Sequence, residues 1–527
     1  MARSAADVLQ AVDPATRELV ASVFATSHGS VPAIVVRAQE AGRTWSTLPF
    51  AQRAPALTRL RELVAQRAHE IAETIAHGMG KPLIEALAFE VAAVLETLDD
   101  CIAHATDALA DQPIGVSARV GGNKTLVFRH TPHAVVCVIA PVSFPFERAM
   151  TPAVIALAAG SAVIVKPTSA APLVGALIER LLDEAFADFP GLAQVAHGSG
   201  AIGAAVATAD GVDCVLFTGS TRVGSELRTA LAPLQRPARL ELAGANPLIV
   251  CDDANLERAA RATVFGRFSN NGQGCASVRR VYVQRTVAAA FIHKVVHKVR
   301  ALKSGPYTNP FCEIGPLANG RGLEDLRAVL QDALDKRALL AAGGFPAHVT
   351  GRNNGERRGA DRQGWYWPPT VLTNVDTAMR VMQETVAGPI LPIQVVDDDA
   401  EAIALANDTY YGFDACVFSG DLARANRIAD QLRAGTVAIN DVLVNMALPN
   451  LHCGSTQQAG IDHDRGGDAG RATPFGVGKV LLIDDGSGDS EPHWFPYSAA
   501  KLQAIERAQS AARPAPASTA PGAGGDE

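Results

Sequence analysis

Residues 134–166 limit the possible folds more than any other stretch of this chain. Residues 134–139 form an unbroken apolar run of strand length. Pro141-Val142-Ser143-Phe144-Pro145 turns the chain, 146–159 reads as a helix, and 162–166 as the next strand. The rhythm returns at 214–217, followed by the turn Thr218-Gly219-Ser220-Thr221-Arg222 and a helix over 223–231. Apolar strands without polar alternation need cover on both faces, and intervening helices make such strands parallel. The fold class is therefore α/β. Ligands in such sheets bind beyond the carboxyl ends of the strands. Glycines there let a phosphate approach a helix N-terminus.

A second α/β set follows, with strands at 248–252 and 281–284 and helices at 256–268, 287–302 and 322–340. The earlier region 31–109 reads as helical, with Leu57, Leu60, Leu63 and Val64, then Ile71 and Ile75, at helical spacing. Gly80-Lys81-Pro82 interrupts it, and the region carries no expected catalytic group. Residues 117–130 read as a hairpin around Gly121-Gly122-Asn123. Residues 343–364 read as a surface loop, 487–491 as a linker, 497–512 as a helix and 514–527 as a disordered tail.

A chain of 527 residues exceeds one ordinary core. A net charge of −7 argues against nucleic acid as the main partner. Eight cysteines without CxxC spacing read as reduced thiols in a cytoplasmic protein, and thirteen histidines show no metal-ligand spacing. Neither a secretory signal nor a run long enough to cross a membrane is expected.

The chemistry centres on Phe268-Ser269-Asn270-Asn271-Gly272-Gln273-Gly274-Cys275. Small, turn-forming residues hold one thiol where its own N–H can face a bound carbonyl. Such a cysteine is a nucleophile where a base or positive field favours the thiolate; otherwise it is an ordinary buried thiol. Thirty-four residues upstream stands Glu241, in Leu240-Glu241-Leu242-Ala243-Gly244-Ala245-Asn246-Pro247. It is either a base in an apolar pocket or a surface strand carboxylate.

Together these stretches resemble the two active-site signatures of the aldehyde dehydrogenase superfamily, and the resemblance runs over roughly 13–483. It implies oxidation of an aldehyde to its acid with NAD or NADP. Cys275 would form the thiohemiacetal and thioester, and Glu241 would activate water. Ser143 stands where the family has an oxyanion-binding Asn, and Val142 where it has Trp, which widens the tunnel for a bulkier aldehyde. Lys166 matches an adenosine-ribose contact. Ser169 replaces a Glu that repels a 2′-phosphate. Ser220 matches a pyrophosphate contact, with Gly219 and Gly224 giving close approach. Thr385 takes the place of the nicotinamide-ribose Glu, Ala387 that of a Phe, and Glu384 lies one residue away. Ala243 and Ala245 replace a Gly and a Lys, and His452-Cys453-Gly454-Ser455 stands where Pro-Phe-Gly-Gly is usual.

The architecture implied is a Rossmann-like cofactor domain over 1–113 and 133–242 and a catalytic α/β domain over 243–455. Oligomerisation strands at 114–132 and 474–485 and a C-terminal extension at 486–527 complete it. Such strands imply a homodimer or homotetramer, with a small aldehyde as the other partner. Two other readings stand beside this one. A CoA-acylating enzyme is disfavoured by the retained Glu241. A catalytically weak binding or assembly protein is motivated by Ser143, Thr385 and Ala387.

Overall fold

The structure, a computed structural model, describes residues 8–115, 124–346, 364–443, 455–461, 476–486 and 493–511. The chain forms two units: Met1–Ala108 with Pro132–Phe475, and Leu109–Thr131 with Gly476–Glu527.

In the larger unit, the apolar run becomes the strand Val135–Ile139, buried at every position. It pairs in parallel with Ala162–Lys166 on one side and Cys214–Thr218 on the other. Ala193–Val195 and Ala238–Glu241 extend this sheet in parallel. Gly460–Ile461 closes one edge, antiparallel, beside Glu241. The helix Glu147–Ala159 ends at Gly160, whose φ of 110° lies in the left-handed region that glycine tolerates. The helix Thr221–Leu231 starts two residues before the expected 223. The cause is Ser220, whose hydroxyl oxygen accepts from the Val223 N–H at 3.4 Å and caps the helix.

The second sheet has seven strands, in the order Leu339–Ala342, Thr370–Thr373, Ile390–Val396, Arg280–Gln284, Pro247–Val250, Asp414–Phe418, Thr436–Ile439. All neighbours are parallel except the first pair. Side chains alternate faces along a strand. Leu248, Val250, Val281, Val283, Cys416 and Phe418 thus join one core cluster, with Phe268 and Phe291 from the covering helices. Ile249, Tyr282, Ala415 and Val417 join the other, with Leu326, Leu330 and Ile428. The expected helix over 322–340 is corrected here. It runs Gly320–Asp335, and Arg337 then turns the backbone left-handed at φ 72°. Leu339 and Leu340 pair antiparallel with Thr373 and Leu372, because an open sheet edge lies there.

The N-terminal region is helical as read, in Val31–Thr47, Phe50–Gln66, Ala68–Met79 and Ala92–Ala108, with Leu57, Leu60, Ile71 and Ile75 buried. Gly80, at φ 75°, ends the third of these. In the smaller unit Lys124–Pro132 pairs antiparallel with Gln112–Ile114, and Gly476–Asp484 lies on its other side. The expected hairpin turn at 121–123 lies outside the described residues, as do 452–454, the linker, most of the 343–364 loop and the 514–527 tail. The C-terminal helix is Ala499–Ala511. Among the described residues no helix is long and apolar enough to cross a membrane.

Candidate active site

A cavity of about 840 Å3 opens beyond the carboxyl ends of the first sheet. Its wall carries Ser143, Lys166, Ser169, Gly219, Ser220, Cys275 and Thr385. Seven of the nine expected site residues therefore share one hollow. Gly224 and Glu241 lie outside that wall. Gly224 is buried on its helix, and a Cβ there would stand 2.5 Å from Leu242 Cδ2. The missing Cβ lets the helix pack closely against Leu242. Glu241 is the last residue of its strand, in register with Thr218, between buried Leu240 and Leu242.

Cys275 is half-buried and follows a short helical turn in which Asn270 and Asn271 are both left-handed, at φ 51° and 54°. The turn is held from all sides. Asn246 Nδ2 donates to the Cys275 carbonyl at 2.8 Å and to that of Ser277 at 3.0 Å. The buried Arg279 donates to Gly274 O at 2.7 Å and Gly272 O at 3.3 Å. Gly388 N donates to Gly272 O at 2.9 Å. Arg267, wholly buried, donates to the carbonyls of Val278 and Val386 at 3.3 Å and to that of Gly388. Its guanidinium thus ties the segment bearing Thr385 to the helix that delivers the cysteine. Glu384 makes two bonds to Arg380, at 2.6 and 3.1 Å, and is held away from the cavity.

The region expected to carry no chemistry supplies the support beneath the turn at 141–145. Lys81 is buried, pairs with Glu90, and donates to Ser143 O at 3.0 Å. Asn270 Nδ2 donates to the same oxygen at 2.8 Å. Glu90 also accepts from Phe146 N at 2.8 Å, at the positive end of the following helix. Glu85 accepts from Asn270 N at 2.7 Å, and burial pushes its carboxyl up to about 7. These polar residues lie within an apolar helical stripe, and the sequence signal was the break at Gly80-Lys81-Pro82 alone. The backbone of Ser143 is thereby bolted to the cysteine loop, with Ser143 itself facing the cavity.

Burial pushes the Cys275 thiol up. Arg148 is the strongest charge opposing that shift, while Glu241, Asp414 and Glu147 add to it. Arg148 Nη1 lies 3.4 Å from Glu241 Oε2, and the Thr218 hydroxyl donates to the same oxygen at 3.5 Å. Neither Arg148 nor Glu147 was singled out in the sequence.

A dinucleotide fits the rest of the cavity. Ser220 caps an eleven-residue helix at its rim, and such a helix N-terminus is where a phosphate would be held. Lys166 is buried at a strand end on the cavity, with its ammonium lowered to about 8 by desolvation, which leaves it in want of an anionic or hydroxyl partner. Among the described residues no cluster could hold a metal ion.

The aldehyde dehydrogenase family model matches residues 1–473. The chain belongs to that family. It is an NAD(P)-dependent oxidoreductase that converts an aldehyde to its carboxylic acid. It is 33% identical over 492 residues to a 4,4′-diapolycopene aldehyde oxidase of Methylomonas sp., spanning 93% of this chain and 88% of that one. It is likewise 33% identical over 440 residues to the peroxisomal aminoaldehyde dehydrogenase 2 of Malus domestica, covering 81% and 84%. Among solved structures, indole-3-acetaldehyde dehydrogenase complexed with NAD+ matches with a TM-score of 0.83 and 27% identity, over 92% of this chain and 96% of that one. An NADP-dependent enzyme of E. coli matches with a TM-score of 0.82 and 27% identity, covering 90% and 95%.

Proposed function

We propose that this aldehyde dehydrogenase is the hydrolytic, non-acylating kind, with Cys275 as nucleophile and Glu241 as base. The observation that carries the reading is the seating of Cys275 and Ser143 in the same cavity as the expected cofactor contacts, with Glu241 one residue from its wall at Thr218. The Cys275 sulfur attacks the aldehyde carbon and the oxygen becomes an oxyanion. The Cys275 N–H and the Ser143 hydroxyl donate to it. NAD(P), when bound, supplies the hydride acceptor. Glu241 takes a proton from water, the hydroxide adds to the thioester, and the acid leaves with return of the thiolate. Replacing Glu241 by Gln keeps the shape and removes the base. Rapid mixing of Glu241→Gln with aldehyde and cofactor is expected to give a burst of about one reduced nicotinamide per site. Steady-state turnover then falls about 100-fold or more. An unchanged steady-state rate sinks the assignment. A steady-state rate of the wild type that depends on added CoA sinks the hydrolytic reading.

Ser169 is exposed at the cavity and brings no negative charge. We read the site as open to NADP as well as NAD. Ser169→Glu places a carboxylate where a 2′-phosphate would lie and is expected to lower the NADP-to-NAD ratio of kcat/KM about tenfold, a modest Coulomb effect near a surface. An unmoved ratio would show that Ser169 does not face that position.

The substrate in this reading is a bulky aldehyde. Val142 on the cavity wall leaves more room than a Trp. We also read the chain as a cytoplasmic homo-oligomer. Its described cysteines are free thiols, and the strand Gly476–Asp484 exposes Val477, Val480, Leu482 and Ile483 on both faces. A purified chain that sediments as a monomer would remove the oligomer.

A further inference from the structure

Arg148 is the second residue of the helix Glu147–Ala159, and its side chain is only 19% exposed. It stands between two carboxylates from different elements. Nη1 is 3.4 Å from Glu241 Oε2, at the end of a sheet strand. Nε is 3.0 Å from Glu147 Oε2, which is buried at the helix start. Behind Glu147 lies the Glu90–Lys81 pair from the N-terminal helices, and Asp414 acts on Cys275 from the second sheet. Among the described residues, Glu147 and Glu241 both face Arg148, and Glu90 faces Lys81. Burial pushes the Glu147 carboxyl up to about 7, with Arg148 opposing that shift and Glu241 and Glu90 adding to it.

We propose that Arg148 is a positioning residue for both halves of the reaction, holding Glu241 at its strand end while placing a positive charge beside Cys275, with Glu147 as the counterweight that divides its charge. The inference rests on the roles given above to Cys275 and Glu241. A guanidinium near a thiol favours the thiolate, and a carboxylate near it disfavours the thiolate. Removing the two partners of this pair must therefore move the thiol in opposite directions. A role in packing alone produces no such reversal of sign.

The test is the pH dependence of Cys275 alkylation by iodoacetamide in the full chain without ligand, read on the Cys275 peptide by mass spectrometry. Arg148→Gln is expected to raise the midpoint by about one pH unit, the scale of one lost opposite charge. Arg148→Lys restores most of it. Glu147→Gln lowers the midpoint, because Glu147 is ionised above about pH 7, where the thiol titrates. In turnover, Arg148→Gln keeps the burst and loses steady-state rate, with the acid limb of that rate moved to higher pH. Midpoints of Arg148→Gln and Glu147→Gln that equal the wild type, or that move in the same direction, overturn the proposal. Should Arg148→Gln fail to fold, Glu147→Gln decides alone, since a midpoint that stays or rises overturns it. Glu241→Gln run beside these separates the two claims. If its turnover is lost while the midpoints stand still, only the role of Arg148 falls. If its turnover is intact, the assignment of the base falls instead.

Discussion

Cys275→Ala is expected to abolish reduced-nicotinamide formation, by at least about 10^4-fold, with cofactor binding preserved. A planar aldehyde is a poor hydride donor, and the tetrahedral thiohemiacetal is what makes the transfer feasible. No other thiol among the described residues is placed to substitute. Cys137, Cys214, Cys251 and Cys416 lie in or beside sheet strands, Cys101 in a helix, and all are buried. Burial pushes the thiols of Cys101, Cys137 and Cys251 up to about 12, so that thiolate is absent at neutral pH. Cys312 is buried and donates to the Ile314 carbonyl at 3.2 Å. The substitution removes one sulfur from a half-buried position, and the loop stays held by Asn246 and Arg279 from the backbone side. Cofactor titration, followed by fluorescence, is the control for folding. Residual turnover within tenfold of the wild type would remove Cys275 as the nucleophile.

Lys81→Met is expected to cost about 3–5 kcal/mol, because it leaves the Glu90 carboxylate buried without its cation. The side chains of Lys81 and Glu90 are 1% and 0% exposed. Lys81 also lies 4.5 Å from the centre of the Phe144 ring and donates to Ser143 O. Its loss therefore unfastens the turn that presents Ser143 as well as the helices. The double variant Lys81→Met with Glu90→Gln is expected to recover most of the stability, since Gln still offers an oxygen to Phe146 N. Urea denaturation followed by the signal of buried Trp45 measures both. A single variant as stable as the wild type would show that water reaches Glu90. Activity in the double variant should remain low even where stability returns, because Ser143 O keeps only the bond from Asn270.

The parallel sheets were legible because their strands are apolar on both faces, and a run such as 134–139 has few other places to go. The strand at 162–166 and the helix at 256–268 came out with the bounds read from the sequence. The edge at Leu339 and Leu340 was not legible. The helical pattern of the preceding residues continues into it, and only the open edge at Thr370–Thr373 turns those leucines into a strand. The same division runs through the site. Cys275 could be named from its turn of small and polar residues, and Ser143, Lys166, Ser169, Ser220 and Thr385 through the resemblance, because each lies in a short segment that aligns with a family motif. Lys81, Glu90, Arg148 and Arg267 could not. Lys81 and Glu90 pair across nine residues but meet the turn at Ser143 and Phe146 only through the fold, Arg148 and Arg267 reach partners about a hundred residues away, and a buried charge looks like a surface charge until its partner is placed.

The sequence by itself determined the family and the layered architecture and pointed to Cys275 as the candidate nucleophile, since these depend on periodicity and on motifs spanning a few residues. Only the tertiary structure decided how the charges are shared. Gly224 serves helix packing because Leu242 stands against it, and Glu384 is drawn off by Arg380. Glu241 meets Arg148, 93 positions away, because a helix begins where a strand from another part of the chain ends. Electrostatic interactions fall off with distance in space, not along the chain. Side chains that regulate a thiol and a carboxylate are therefore fixed only when the sheet brings their elements together.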